Sequence, residues 1–380
     1  MSARGLAEMF VFPEVFASTD QRPSLCPRCG RPAMGRHWVY SRVVVDLKVE
    51  QVTLVQYRCA GCKASLSVPP PGVKARCRHS TRTKALSVVL WGLGLSYRNV
   101  ERVMKGLGLP ISDVGVLLNV RAMGAVAMAR QKRAAGRLRV PVLGADETEL
   151  KLSGNGVTLG FLTDPQSGEI VGMRVLASRE GEELARWIME AAKHFGARVL
   201  VSDELESYKP AAEAAGVQHQ LCLAHWRKAT ARRLKKIEGY PEEKKLIREA
   251  LKQLDEPANV AISWLHRQFR RARPPGKGEQ QSPAYALRML TLDILENWKR
   301  LTCYQQTAEP MRDNLGRHTP RRYPVPQTNN ATENAIGRGG KIRAKRMRGF
   351  KRADTILPIM FLLACLGGVL AGVSFQSLIT

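Results

Sequence analysis

The sequence predicts a mixed α/β protein preceded by two small modules, a zinc ribbon and a helix-turn-helix. Three observations carry this. Two C-x2-C pairs, Cys26/Cys29 and Cys59/Cys62, flank an alternating Val-rich segment. After them the pattern runs strand-strand-strand-helix-strand-helix-strand, and two of its apolar strands end on Asp146 and Asp203. The 380 residues carry 60 Lys+Arg against 33 Asp+Glu, a net charge of +27. That excess says nothing about fold but predicts a polyanionic partner, with nucleic acid leading over an anionic membrane surface or ribosomal RNA.

The ribbon is expected over residues 21–68. VYSRVVVDLKVEQVTLVQYR lies between the knuckles and reads as β-strands. Four thiolates from two tight turns suit a tetrahedral Zn²⁺. So small a unit has little core without a metal. The other cysteines (Cys77, Cys222, Cys303, Cys365) are scattered. This is metal-site spacing and not a secreted disulfide framework, which implies a reducing compartment. The N-terminal stretch has no apolar run long enough for a signal peptide.

Pro69–Gly72 reads as a stiff linker. Residues 80–129 are expected to form three helices: Thr83–Leu93, then Tyr97–Lys105 capped by Ser96, then Asp113–Met128 capped by Ser112. Gly106-Leu-Gly108 stops the second. This suits a helix-turn-helix, with a plain three-helix spacer as the alternative. Arg130–Arg139 reads as a basic linker.

Strands follow at Val140–Ala145, Val157–Thr163 and Ile170–Leu176, then a helix at Gly181–Phe195 and a strand at Val199–Val201. A right-handed crossover through that helix brings the fourth strand back parallel to the first. Asp146 and Asp203 then converge. Two such carboxylates repel unless a cation lies between them, and hard Mg²⁺ or Mn²⁺ prefers oxygen ligands. A third carboxylate would complete a two-metal phosphoryl-transfer site. Glu147, Glu149, Glu204 and Glu206 are nearby, but neighbours on a strand face the other way. Glu333, early in a helical run opened by Thr328-Asn-Asn, is the better choice. A basic helical stretch fills residues 226–304. Arg338–Arg352 contains eight Lys or Arg. Ile356–Thr380 carries no charge and has the length of a membrane span. Pro358 and its glycines favour a buried closing helix of the α/β core instead.

Asp146-Glu-Thr, Ser202-Asp203-(x4)-Tyr208, Cys222-x2-His225 and Asn329-Asn330-(x2)-Glu333-Asn334, followed by KIRAKRMRGFK, resemble an insertion-sequence transposase of the DDE type. The Cys-x2-His pair is similar to that of Mutator-like groups with a helical insertion. The resemblance implies a ribonuclease H-like catalytic core over 140–225 and 327–380, with residues 226–326 as the insertion. It implies Asp146, Asp203 and Glu333 as the Mg²⁺-binding catalytic triad, cleaving element ends and transferring strands into target DNA. DNA would then be the partner. A homodimer or higher oligomer on DNA, a cytoplasmic nucleoid-associated location and no membrane association would follow. Arg227, Lys228, Arg232, Arg233, Lys341, Arg343, Lys345, Arg346 and Arg348 are expected to hold DNA phosphates. Cys222 and His225 either fix the strand-to-helix junction or act as metal ligands with His219. Two other readings stay open: a non-catalytic ribbon/helix-turn-helix DNA binder derived from a transposase, and a structure-specific nuclease on the same core.

Overall fold

The computed structural model describes residues 10–19, 21–177, 182–305, 324–347 and 349–379. It is a mixed α/β protein that divides into two compact units. The first comprises residues 1–134, 152–154 and 337–380. The second comprises 135–151 and 155–336.

In the first unit β1 (Met34–Val43), β2 (Gln51–Cys59) and β3 (Ser65–Val68) form an antiparallel sheet in that order. The hairpin expected between the two cysteine pairs is therefore present. Met34, Val55 and Tyr57 pack with Cys26 and Cys59 into a small core. Asp46 anchors the sheet to the helices. Its side chain is fully buried, accepts from Ser80 Oγ at 2.5 Å and pairs with Arg82 at 3.4 Å. Ser80 also caps α1 (Thr81–Gly92) by accepting from the Thr83 N–H.

Ser96 caps α2 (Tyr97–Gly106) as expected, and Ser112 Oγ accepts from the Gly115 N–H at the start of α3 (Asp113–Ala135). The third helix runs well past Met128. The expected basic linker supplies its last turns, because Arg, Lys, Gln and Ala are strong helix formers. Beyond a π turn at Gly337–Lys341 come α12 (Ile342–Arg346), α13 (Ile356–Leu366) and α14 (Phe375–Ile379). A helix apolar on all sides must be buried on all sides. That is the state of α13, which Gly92 of α1 and Gly124 of α3 admit closely. A Cβ at Gly92 would meet Leu366 Cδ1 at 2.5 Å, and one at Gly124 would meet the Pro358 carbonyl oxygen at 2.4 Å. Expected as a closing helix of the α/β core, this segment groups instead with the first unit. Among the described residues no helix is long and apolar enough to cross a membrane.

The second unit is built on a five-stranded mixed sheet, ordered β6-β5-β4-β7-β8. The strands are β4 (Val142–Leu152), β5 (Asn155–Asp164), β6 (Glu169–Leu176), β7 (Val199–Ser202) and β8 (Gln218–Leu221). β5 and β6 are antiparallel, whereas β4, β7 and β8 run parallel. The helices α4 (Glu182–Phe195) and α5 (Tyr208–Ala215) make the crossovers and pack on each other. Gly181, expected to open α4, lies outside the described residues.

After β8 the chain leaves the sheet for a helical stretch. It runs through α6 (Leu223–Lys236), α7 (Pro241–Gln253), α8 (Glu256–Gln268), α9 (Pro283–Glu296) and α10 (Trp298–Leu301). Ile247, Leu251, Ile262, Leu287, Leu290 and Ile294 form its own core. The chain returns to the sheet as α11 (Asn330–Ile336).

The seat of α11 is Gly144 of β4. A Cβ there would meet Thr332 Oγ1 at 2.1 Å and Thr163 Oγ1 at 2.5 Å. These two hydroxyls bond each other at 2.8 Å in a buried site. Gly144→Ala is thus expected to lower stability by about 1–3 kcal/mol through overpacking. Denaturant unfolding measures this; an unchanged midpoint would show that α11 does not sit this close.

Candidate active site and metal centre

The metal centre is in the first unit. Cys26 and Cys59 each begin a knuckle in which the residue after the second cysteine turns left-handed. Gly30 has φ 70° and Lys63 φ 59°, and each donates its N–H back to the first cysteine's carbonyl, at 2.8 and 3.0 Å. The four Sγ atoms lie within 4.8 Å of one another. Cys26 and Cys62 are 3.6 Å apart and Cys29 and Cys59 3.7 Å. Those distances are too long for disulfides. They match the edge of a tetrahedron whose metal–sulfur bonds are about 2.3 Å. Backbone N–H groups of Cys29 and Arg28 pull the Cys26 thiol down to about 6, while burial and bonds to the other thiols push Cys29 up to about 11, so the four share protons and the fit to a metal rests on their geometry. The donor set therefore fits zinc. Cys77 is not among these ligands, and His79 bonds the Pro110 carbonyl at 2.9 Å.

The carboxylates are in the second unit. β4 and β7 pair in parallel with Val142 opposite Val199, Leu143 opposite Leu200 and Gly144 opposite Val201. Two residues beyond the last pair stand Asp146 and Asp203. Asp203 directly follows the end of β7 at Ser202, whereas Asp146 lies inside β4, which runs on to Leu152 and does not stop at Ala145 as the sequence pattern predicts. Both acids are half-buried. Asp203 Oδ1 accepts from the Leu205 N–H at 3.1 Å, and Asp146 Oδ1 from the Glu147 N–H at 2.8 Å. Glu147 accepts from Tyr208 Oη at 2.6 Å. Burial, then the charges of Glu147, Asp146 and Asp203, hold the Tyr208 hydroxyl well above its ordinary value. An open cleft of about 840 Å³ lies at Asp203 and is lined also by Glu182, Glu204 and Glu206. Burial and then the Asp203 charge raise the Glu204 carboxyl.

Glu333, on the first turn of α11, reaches this corner through two ties. Asn329 donates its Nδ2 to the Ala145 carbonyl at 2.8 Å, one residue before Asp146. The Asn329 N–H bonds Cys222 Sγ at 3.2 Å, while the Leu223 N–H bonds the Gln327 carbonyl at 2.9 Å. His225 Nε2, one turn into α6, lies 3.6 Å from Glu333 Oε1. Cys222 and His225 thus clamp the β8–α6 junction onto the segment that carries Glu333. The carboxylates of Asp146, Asp203 and Glu333 are not gathered within 4.8 Å of one another as the four thiols are. Among the described residues, the buried Asn329 Oδ1 and His225 Nδ1 have no hydrogen-bond partner.

His219 does not join Cys222 and His225 around an ion. It is buried, with Nε2 at 2.8 Å from Ser202 Oγ and Nδ1 accepting from Arg300 at 3.0 and 3.2 Å. Burial and then the Arg300 charge drive its imidazole down from 6.5 to about 3. The unfolded chain therefore takes up a proton below pH 6.5 that the folded chain refuses until about pH 3. Stability is full above that window and falls as the pH drops through it, by up to about 1.4 kcal/mol per pH unit. Between pH 6.5 and 5 the wild type should lose about 2 kcal/mol more than His219→Gln. Urea unfolding at both pH values tests this, and equal losses would refute it.

Of the expected phosphate contacts, Lys228, Arg232, Lys345 and Arg346 are exposed. Arg227 instead bonds the Leu251 carbonyl at 2.9 Å, and Arg233 pairs with Asp293. Lys341 is half-buried in the π turn. Arg343 stacks 5.1 Å over Trp91 and bonds the Leu95 carbonyl at 2.8 Å. Arg348 lies outside the described residues. Thr332 and Arg300 give no signal in the sequence, because their partners are far away along the chain; Asn329 stands in the motif before Glu333, but its bond to Ala145 is not readable there.

A sequence model described as the transposase IS66 family matches residues 77–353, more than half of the chain. No curated protein matches the chain.

Proposed function

The chain belongs to the transposase IS66 family, and on that premise we propose that its second unit is a ribonuclease H-like DDE catalytic core. It would cleave DNA at the ends of the element and join the freed 3′-hydroxyl to target DNA. The observation that supports this reading is the parallel pairing of β4 with β7, the strands that lead to Asp146 and Asp203, together with the ties that bring the segment of Glu333 to β4 and α6. Of the three acids, the first two would be brought near each other by the parallel pairing of β4 and β7 just before them. The third is tied in by Asn329 to Ala145 and by His225.

The donor types suit a hard divalent cation: carboxylate oxygens, and the unpartnered Oδ1 of Asn329, whose Nδ2 bonds the carbonyl of Ala145 just before Asp146. Asp146, Asp203 and Glu333 would hold Mg²⁺ or Mn²⁺. When bound, such an ion activates an attacking hydroxyl or water and neutralises charge on the transferring phosphate. The chain's own residues do the rest. Backbone N–H groups hold the Asp146 and Asp203 carboxylates in fixed rotamers. Tyr208 keeps Glu147 bonded on the side of α5. Lys228, Arg232, Lys345 and Arg346 would bind backbone phosphates in a salt-sensitive way. End recognition would fall to the zinc ribbon and to α1–α3 acting as a helix-turn-helix. On DNA the protein would work as a dimer or higher oligomer, associated with the nucleoid in the cytoplasm.

The test is a strand-transfer assay with a 3′-OH donor end and Mg²⁺. Cutting and joining support the reading. Cutting without joining makes the protein a nuclease on this core. DNA binding with neither makes it a non-catalytic binder.

A further inference from the structure

A buried chain of hydrogen bonds runs from the helical stretch to the strand that delivers Asp203, and nothing in the proposed chemistry uses it. Its direction is fixed by its first member. Arg300, on α10, has only donors. It places Nε and Nη2 on His219 Nδ1 at 3.2 and 3.0 Å. His219 Nδ1 is therefore bare, and the proton sits on Nε2. That N–H donates to Ser202 Oγ at 2.8 Å, and the Ser202 hydroxyl donates to the Asp203 carbonyl at 3.0 Å. Each link has one possible polarity.

The chain also extends outward. Arg300 Nη1 donates to Asn297 Oδ1 at 2.6 Å, and Asn297 Nδ2 donates to Asp293 Oδ1 at 3.0 Å. Asp293 Oδ2 takes Arg233 of α6. His219 and Ser202 are buried, so no bulk water replaces a missing partner. A neutral histidine between an arginine and a serine costs burial energy that a leucine would not. Packing alone does not call for it.

We infer that Arg300, His219 and Ser202 are positioning residues that lock the Asp203 backbone in the orientation its carboxylate needs to bind a divalent cation. This rests on the metal-site reading above. Outer-shell partners of this kind change metal affinity by about 10–100-fold when removed. A chain that merely held α10 on the sheet would alter thermal stability and leave metal affinity unchanged.

The experiment is a Mn²⁺ titration of the full zinc-loaded chain, followed by electron paramagnetic resonance, with melting temperatures measured alongside. Ser202→Ala and His219→Phe should weaken Mn²⁺ binding at least about 10-fold. His219→Gln, which can accept from Arg300 and donate to Ser202, should restore most of it. Should His219→Phe fail to fold, Ser202→Ala decides, since it removes a single oxygen. Mn²⁺ affinity unchanged in a folded Ser202→Ala chain overturns the relay alone. Absence of Mn²⁺ binding by the wild type overturns the metal site and the relay with it.

Discussion

On the proposed assignment, Asp203→Asn should reduce strand cleavage and joining by about 10³-fold, because a metal's stabilisation of the transferring phosphate would be worth several kcal/mol and about 1.4 kcal/mol is tenfold in rate. The substitution tests charge and little else. Asp203 Oδ1 accepts from the Leu205 N–H, and an asparagine oxygen can do the same. The melting temperature should therefore move by no more than about 2 °C. Asp146→Asn should behave alike, since its oxygen likewise accepts from the next backbone N–H. Gel assays with a labelled donor end read both steps. Cleavage that survives in the folded Asp203→Asn chain would remove Asp203 from the site and return the three acids to a structural role.

The second large effect is on the ribbon. Its buried apolar residues are few, with Met34, Val55 and Tyr57 the main ones around Cys26 and Cys59. A structural zinc supplies about 10–16 kcal/mol in small modules. Chelation, or Cys59→Ser, should therefore abolish hydrogen-exchange protection across β1–β3 while the five-stranded sheet keeps its protection. Elemental analysis should find zinc in the wild type and not in the variant. Zinc-free protein with an intact ribbon would falsify the assignment.

Much of this arrangement is legible in the sequence where the signal is local. Alternating Val-rich strands, the C-x2-C knuckles and the caps Ser96 and Ser112 each depend on neighbours within a few residues. The parallel pairing of β4 with β7 needs one further rule, the handedness of the crossover. What stayed hidden depends on contacts across long separations. Asn329 reaches Ala145, Arg300 reaches His219, and Thr332 takes the space that Gly144 leaves. No periodicity records such pairs. Glu333 is suggested by its place early in the helical run opened by Thr328-Asn-Asn and by the cationic segment beside it, and the resemblance implies the same residue. A run of cations reads as a linker at Arg130–Arg139, yet Arg, Lys and Ala favour helix and the chain stays helical to Ala135. The uniform apolarity of Ile356–Leu366 tells that it is buried, not against what, and the segment groups with the first unit.

The tie between Asn329 and Ala145 spans 184 positions of sequence. On the proposed assignment this has a consequence for synthesis. A chain emerging from the ribosome can pair β4 with β7 and present Asp146 and Asp203 early. It cannot supply Glu333, or the clamp from Cys222 and His225, until the whole helical stretch has been made and residues 329–336 have followed. A truncated or stalled product ending before that point would carry half a site. Such a product could grip DNA through α6 but would lack the third acid required to cut it.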